Sequence, residues 1–266
     1  MKSATQAARL VLIILAAAVL SACASRPSDN ISLIPADQVA EQTSKDGLFN
    51  QPIKWERTKP GCKGECPTLK VDSIVFPGVG KLSELIDHAL TVMTGIGVSQ
   101  TQPYDTIEQY EDYFWKTAAP RDSTLLSAKT RYRNKNITTV ELNTWQYYTG
   151  AAHGISATQF LNWDNKTAQV LGMAAILQPS KHAAYIETLK HAHSQWLATQ
   201  PGAQNDPEAF NRLWPFQPSD NFAFTDAGLV VKYDSYQIAP YSSGQPELTI
   251  PYSALQGILK PEYLPA

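Results

Sequence analysis

Two long stretches of alternating apolar and polar residues, joined by a short polar turn, limit the fold of this chain more than any other feature. The first runs from Leu126 to Tyr132 and the second from Ile137 to Tyr148, with the turn at 134–136. A period of two residues is typical of a β-strand with one buried face. Two such strands separated by a few turn residues predict a β-hairpin, so we expect an antiparallel sheet with Val140 and Leu142 on its buried face.

The other elements come in runs of strands and runs of helices. A capping box, Asp105 with Glu108 three residues on, predicts that one helix begins at Asp105. Runs without strand–helix–strand alternation predict the α+β class, with antiparallel sheets and packed helices. Further strands are expected over 67–76, 155–162, 221–224, 229–233 and 247–250, and helices over 82–93, from 180 onward and over 207–213.

The loop before the last strand has an unusual composition. Tyr241 stands beside Pro240 and is followed by Ser242 and Ser243, with no charged residue in the segment 239–244. Rigid aromatic residues next to adaptable serines are common in recognition loops. The same composition suits a loop that packs across a sheet, and the sequence leaves both alternatives open.

The first 22 residues predict a lipoprotein signal peptide. Lys2 and Arg9 precede the apolar segment Leu10–Leu20, which is shorter than the roughly 20 residues of a membrane-spanning helix. Leu20-Ser21-Ala22-Cys23 is similar to the lipobox of bacterial lipoproteins. This resemblance implies a diacylglyceryl group on the Cys23 thiol, cleavage before Cys23 and acylation, for example with palmitate, of its new amine. An ordinary signal peptide with an incidental cysteine is the alternative.

Lipidation defines where the protein is expected to reside. Acyl chains contribute about 0.8 kcal/mol per buried methylene, so two or three of them hold a protein on a bilayer. Ala24 after the lipidated cysteine favours the outer membrane, by analogy with enterobacterial sorting. We therefore expect a lipid-anchored protein of the bacterial cell envelope, facing the periplasm, with residues 23–50 as a flexible tether.

The two remaining cysteines predict a disulfide. Cys62 and Cys66 lie four residues apart, and the expected compartment is oxidising. A metal site would need further Cys or His nearby, which the sequence does not supply. The closed loop is short, so its entropic contribution is about 2 kcal/mol.

Charge argues against nucleic acid as a partner. Removing residues 1–22, which hold Lys2, Arg9 and no acidic residue, takes the 22 basic residues to 20 against 24 acidic ones, a net charge of −4. A basic stripe of the kind that binds phosphate backbones is not present in the sequence.

The sequence predicts neither catalytic residues, nor a metal, nor a cofactor. Glu187 and His191 have metal-binding spacing, but His193 is expected on the apolar stripe of the same helix, so the two histidines diverge. His153 lies in a glycine-containing turn after a strand and could act as a general base. No nucleophile motif accompanies it, so a structural or ligand-contact role is favoured.

Five short motifs together resemble a known family. The sequence resembles the RsiV-like domain, a domain of unknown function in the extracytoplasmic part of the anti-sigma factor RsiV, in the non-catalytic part of the peptidoglycan deacetylase PdaC and in bacterial lipoproteins. The resemblance covers roughly residues 67–259, and Ala151 departs from it where the family has glycine. The motifs are Tyr148–Gly154, Asn162–Asp164, Phe222–Phe224 with Gly228-Leu229, Tyr236–Tyr241 with Gly244, and Ile250–Tyr252.

The resemblance implies two intimately associated subdomains, a PdaC-like part over 51–154 and an RsiV-like part over 155–266. It also implies a non-catalytic module that contacts a lysozyme-like muramidase or peptidoglycan. Anti-sigma signalling and deacetylation are not expected to carry over. The alternatives are a cell-wall hydrolase that uses His153 and a structural or assembly lipoprotein without a small ligand. The residues expected to contact a ligand are His153, Tyr148, Pro240, Tyr241, Ser242 and Ser243.

Overall fold

A six-stranded sheet forms the larger layer of the fold in the computed structural model, which describes residues 47–95 and 102–265. The strands lie side by side in chain order, and neighbours are antiparallel except for β2 and β3, which are parallel. They are β1 (Gln51–Thr58), β2 (Thr68–Val75), β3 (Ser123–Arg133), β4 (Ile137–Tyr147), β5 (Ile155–Asp164) and β6 (Gln169–Val170).

The parallel pair departs from the antiparallel arrangement expected throughout. Helices α1 (Gly80–Val92) and α2 (Ile107–Thr117) lie between β2 and β3 in the chain. A connection of this length carries the chain back to the starting end of the sheet, so β3 runs in the same direction as β2. The α+β class is confirmed, because the remaining strands pair as hairpins and antiparallel neighbours.

The predicted hairpin is confirmed as β3 and β4. Val140 and Leu142 point to the face that α1 and α2 cover, and both are fully buried. Alternation along the strands therefore gives the first core, where strand side chains meet the apolar stripes of the two helices. The largest fully buried side chains of this core are Phe76, Leu69, Leu82, Ile86, Leu90, Leu126, Leu142 and Trp163.

A three-stranded antiparallel sheet forms the second layer. It consists of β7 (Phe222–Phe224), β8 (Gly228–Lys232) and β9 (Glu247–Pro251). A Cβ at Gly228 would lie 2.0 Å from the carbonyl oxygen of Ile250, so the close pairing of β8 and β9 requires glycine there. We call this sheet and the helices around it the second half of the protein. Its helices are α3 (Met173–Ile176), α4 (His182–Leu197), α5 (Pro201–Asn205) and α6 (Pro207–Leu213).

The second core lies between this small sheet and α4. Alternate residues of β8, Leu229 and Val231, are fully buried in it. Tyr185 and Leu189 of α4 belong to the same cluster. The helix predicted from residue 180 onward is confirmed as α4, which begins at His182 and buries Leu189 and His193 of its predicted apolar stripe.

The outer edge of β5 is covered by side chains from the second half. The backbone N–H of Thr158 donates to Oδ1 of Asp234 at 2.6 Å, and that of Phe160 donates to Oδ1 of Asn221 at 2.7 Å. An uncovered strand edge would offer these donors to another chain. The carboxylate and the amide thus satisfy the edge and fix the second half beside the larger sheet.

An inter-sheet charge cluster lies between the two sheets, formed by Lys129, Glu141, Lys232 and Glu247. Nζ of Lys232 lies 2.6 Å from Oε1 of Glu141 and 3.4 Å from Oε1 of Glu247. Nζ of Lys129 lies 3.3 Å from Oε2 of Glu141. Burial opposes ionisation of Glu141, but hydrogen bonds from Lys232 and Asn143 and the two lysine charges outweigh it and lower its pKa.

The described strand β1 was not predicted. Apolar residues alternate with polar ones only at Ile53 and Trp55, which is too short a pattern to predict a strand, and every residue of β1 is exposed or half-buried. Backbone pairing with β2 holds this strand in place, and the pattern of side chains does not indicate that pairing.

The cap of α2 differs from the prediction by one residue. Oγ1 of Thr106 accepts from the N–H of Gln109 at 3.2 Å, so Thr106 is the N-cap rather than Asp105. The side chain of Gln109 in turn accepts from the N–H of Asp105. Both candidate positions carry a capping residue with an acid or amide three residues on, and sequence alone does not choose between them.

Several predictions concern the N-terminal region and its relation to a membrane. Cys23 and residues 1–46 lie outside the described residues. At the end of the expected tether, Leu48 is buried in the first core, and its carbonyl accepts from Arg133. In the described ranges, no helix combines the length and apolar character needed to cross a membrane.

Two structural predictions can be compared with the middle of the chain. The disulfide between Cys62 and Cys66 is present, with the two Cα atoms 5.9 Å apart. The expected division at residue 154 falls between β4 and β5, which pair with each other along their whole lengths in the larger sheet. The predicted C-terminal part therefore contributes β5 and β6 to the larger sheet.

Candidate functional site

Four aromatic side chains meet at the surface where the loops of the two halves come together. We call His153, Trp214, Tyr236 and Tyr241 the aromatic surface. The rings of His153 and Tyr241 stack with centroids 4.1 Å apart, and those of Trp214 and Tyr236 lie 6.1 Å apart with an interplanar angle of 25°. Tyr236 contacts both His153 and Tyr241 and is 49% exposed. The rings hold one another, and part of the cluster faces solvent.

The turn before β5 positions His153. Gly150 takes a positive φ of 93°, and the N–H of Ala151 donates to the carbonyl of Tyr148, which closes the turn. A Cβ at Gly154 would lie 2.3 Å from the ring of Trp145, so only glycine lets that indole pack against the backbone of the turn. The close approach of Trp145 therefore explains the glycine at position 154, which ends the motif Tyr148–Gly154.

Asp234 anchors the loop that carries the tyrosines. Its carboxylate accepts from Thr158 of β5, and its N–H donates to Oε1 of Gln237, which makes a turn over 234–237. Within that turn Tyr236 takes a positive φ of 69°, a conformation that side-chain-bearing residues adopt rarely. Burial raises the pKa of Asp234, against the opposing effects of the hydrogen bond from Thr158 and the charge of Lys232.

The segment after this turn continues into a short helix. Ile238 and Ala239 are fully buried, and a 3₁₀ helix follows at Tyr241–Ser243. The N–H of Ser243 donates to the carbonyl of Pro240. The buried residues fix both sides of the loop, so the Tyr241 ring is preorganised on His153.

Both ring nitrogens of His153 are engaged. Nδ1 lies 3.0 Å from the carbonyl oxygen of Gly154, so it carries the proton and donates. Nε2 lies 3.0 Å from the hydroxyl of Tyr236 and accepts from it. Ser242 and Ser243 are exposed and make no hydrogen bond to the imidazole. This arrangement ties two loops together and offers no activated nucleophile.

The other histidine candidates do not converge. His191 is exposed and lies 3.2 Å from the amide of Gln195. His193 is buried between the rings of Trp196 and Phe216, and burial lowers its pKa. Across residues 47–95 and 102–265, no group of three or more His, Cys, Asp or Glu side chains is placed to hold a metal ion.

The structure brings some of the predicted contact residues together and separates one. His153 and Tyr241 stack, Pro240 precedes the 3₁₀ helix, and Ser242 and Ser243 are exposed within it. The sixth predicted residue, Tyr148, lies elsewhere. Its hydroxyl accepts from Nε2 of Gln146, which also contacts Tyr110 of α2. Tyr148 therefore belongs to the helix-covered side of β4.

Two members of the aromatic surface were missed as site residues. Trp214 follows α6 directly, and Tyr236 was noted only within a family motif. Neither residue belongs to a periodic pattern, because each stands in a loop. The motif Trp214-Pro215-Phe216 and the tyrosine in the turn after Asp234 are the signals that could have indicated exposed aromatic residues.

Comparisons with known proteins identify the family. A model of the DUF3298 family, described as proteins of unknown function, matches residues 174–253. The chain is 34% identical to a DUF3298 family protein from Pseudomonas aeruginosa PAO1, with a TM-score of 0.76, and the match covers 82% of this chain and 97% of that one. The chain therefore belongs to the DUF3298 family.

A more distant structure shares the fold. A DUF3298 family member from Bacteroides fragilis NCTC 9343 is 20% identical, with a TM-score of 0.62, and the match covers 82% of this chain and 95% of that one. The search of curated proteins gave no significant match.

Proposed function

We propose that this chain is a lipid-anchored, non-catalytic binding module of the bacterial cell envelope, and that its aromatic surface contacts a lysozyme-like muramidase. The observation that carries the proposal is the preorganised set of rings at the aromatic surface, in which Tyr236 is exposed and the other three rings are half-buried. Tryptophan and tyrosine dominate the binding energy of protein interfaces, especially where their rings are already held in place. The resemblance of the motifs to RsiV-like domains supports the class of partner.

The chemistry around the rings suits a protein partner. Ser242, Ser243 and Gly244 form an exposed, uncharged rim beside Tyr241. Serine and glycine next to tyrosine give adaptable hydrogen bonds around rigid anchors. The charged positions that flank this rim along the chain are Asp234 and Glu247, and both are half-buried. Asp234 accepts from the N–H of Thr158, and Glu247 pairs with Arg131 and Lys232.

A pull-down separates this proposal from its rivals. The mature protein is passed over immobilised muramidase and, separately, over purified cell-wall sacculi at moderate salt. We expect retention on muramidase, and a loss of retention for Tyr236→Ala and Trp214→Ala. Tyr113, which is 40% exposed on α2, provides a matched control, and Tyr113→Ala should bind like the wild type.

The other outcomes are equally informative. Retention on sacculi alone would move the ligand to peptidoglycan, and retention on neither would contradict the binding proposal. Release of products from labelled peptidoglycan, lost in His153→Ala, would instead support a hydrolase.

Membrane anchoring has its own test. We expect Cys23→Ala to move the protein from the membrane fraction to the soluble fraction of the envelope, because the acyl chains are lost. Continued sedimentation of this variant with membranes would contradict lipidation at Cys23.

A further inference from the structure

A hollow of about 490 Å³ lies between α2 and the end of β4. We call it the tyrosine pocket, after Tyr104, Tyr110, Tyr113 and Tyr148 in its lining. Its volume is in the range of small-ligand sites. Gln146 lines it on the helix-covered face of β4, whereas its neighbour Trp145 points to the opposite face, towards Gly154.

The base of the tyrosine pocket is a closed hydrogen-bond network. Tyr110 is 2% exposed and Gln146 is 6% exposed. Nε2 of Gln146 lies 3.3 Å from the hydroxyl of Tyr110 and 3.1 Å from that of Tyr148. The hydroxyl of Tyr110 donates to Oγ1 of Thr124 at 3.1 Å. A buried amide that holds two phenols in place fixes the position of the rings above it.

The rim of the pocket presents aromatic area to solvent. Tyr113 and Tyr148 are 40% and 46% exposed, among the most exposed large apolar side chains described. Tyr113 packs against Tyr104 with ring centroids 5.1 Å apart, and Tyr104 is held through its hydroxyl, 2.7 Å from Oγ1 of Thr94. Burial raises the pKa of Tyr148, so its hydroxyl stays protonated and available as a donor.

The pocket carries no free charge in its described lining. Asp122 is the only ionisable acid or base there besides the tyrosines, and it is 6% exposed. One carboxylate oxygen accepts from the N–H of Ala119, and the other accepts from the N–H and the hydroxyl of Thr149. Its acceptor capacity is thus directed at the chain. The described lining therefore offers no charged partner to an ionic ligand. It offers aromatic faces and phenol hydroxyls to a neutral ligand.

From this combination we infer that the tyrosine pocket binds a neutral sugar ring. Tyr113 and Tyr148 would stack on the apolar face of the ring, and the phenol hydroxyls would exchange hydrogen bonds with its hydroxyl groups. A purely apolar aromatic ligand would cover the Tyr148 hydroxyl, which accepts from Gln146 but has no acceptor for its own proton among the described residues, and an unpaired donor is costly. The inference concerns a different face of the protein from the proposed muramidase contact and stands without it.

The test uses the full mature chain and chitotriose, a neutral trimer of N-acetylglucosamine, with maltotriose as a second neutral sugar. Saturation-transfer NMR and titration calorimetry should detect binding of at least one of them with a dissociation constant of about 1 mM or tighter. Tyr148→Ala should weaken binding about tenfold, equivalent to about 1.4 kcal/mol, while Tyr148→Phe keeps the ring and should weaken it less. Thermal melting of each variant verifies that the fold is retained.

The matched control is Tyr236→Ala, which removes an equally exposed tyrosine from the aromatic surface and should leave sugar binding unchanged. Failure of both sugars to bind, or binding that survives both Tyr148→Ala and Tyr113→Ala, would overturn the inference. A loss of sugar binding in Tyr236→Ala would also overturn it, because the sugar would then lie on the other face.

Discussion

The inter-sheet charge cluster and the aromatic surface both lie where the second half meets β4 and β5, yet they have opposite chemistry. Glu141 is 1% exposed and is held by two lysines, whereas Tyr236 is 49% exposed and its contacts are with other rings. Charged groups can be buried only with their partners in place, so the cluster fixes how the two halves pack. The rings keep their outer faces free. One region therefore serves the fold, and the other is available to a partner.

The largest effect is expected in the charge cluster. Glu141→Ala leaves Lys232 largely buried with only the more exposed Glu247 beside it, so we expect a loss of about 3–5 kcal/mol in the free energy of unfolding. Urea denaturation measures it. The double variant Glu141→Leu with Lys232→Met removes both charges and should recover most of the loss. A loss of less than about 1 kcal/mol in Glu141→Ala would contradict the structural role of the cluster.

A smaller loss in the free energy of unfolding is expected at the edge of the aromatic surface. Tyr241 is half-buried and stacks on His153, so Tyr241→Ala should cost about 1–2 kcal/mol. Tyr252 is the reference for a packed tyrosine, since its hydroxyl donates to the carbonyl of Thr225 and its ring contacts the second core. If Tyr241→Ala lost as much stability as Tyr252→Ala, the loop would be a packing element and the structural-lipoprotein alternative would gain support.

A pH-dependent effect on stability is expected at the buried histidine of α4. His193 contacts Phe216, two residues from Trp214, and burial lowers its pKa, so the folded state favours the neutral ring. The stability it supports is fully present above the unfolded pKa of about 6.5 and is lost as the pH falls below that value. Nε2 of His193 has no hydrogen-bond partner among the described residues.

Denaturation between pH 7 and pH 5 measures this effect. His193→Phe should flatten the pH dependence of stability, while His191→Gln, a change at an exposed histidine of the same helix, should not. An unchanged pH dependence in His193→Phe would show that other groups dominate it.

The smallest effect on stability is expected at Tyr236. Its side chain is half exposed, and Tyr236→Ala should change the free energy of unfolding by about 0.5 kcal/mol or less. A larger loss, measured by urea denaturation, would mean that the hydroxyl contact with His153 holds the two loops together more strongly than the exposure of the ring suggests.

The sequence predicted most of the fold because the spacing of apolar residues indicates which face of a strand or helix is buried. The alternation from Leu126 to Tyr148 and the helical stripe around Leu189 are both found in the structure. Strand β1 was missed because its one-sided pattern is limited to Ile53 and Trp55. The parallel pairing of β2 with β3 depends on long-range register that local patterns do not contain.

The candidate site was predicted in part. The stacking of His153 on Tyr241 follows from two turns meeting at one end of the sheet, which the sequence allowed as a possibility. Tyr148 was assigned to the same end, but it lies on the helix-covered side with Gln146, two positions earlier, because residues i and i+2 of an extended chain share a face. Trp214 comes from the chain after α6, more than sixty residues from His153, and only the tertiary fold brings them near one another.

The most direct test of the proposed function compares two tyrosines of similar exposure on different faces. Titration calorimetry with a lysozyme-like muramidase should give a dissociation constant that Tyr236→Ala weakens by at least about tenfold, with unchanged melting temperature. Tyr113→Ala should leave that constant unchanged. Equal affinity of the wild type and Tyr236→Ala, or no binding by the wild type, would contradict the assignment of the aromatic surface as the muramidase contact.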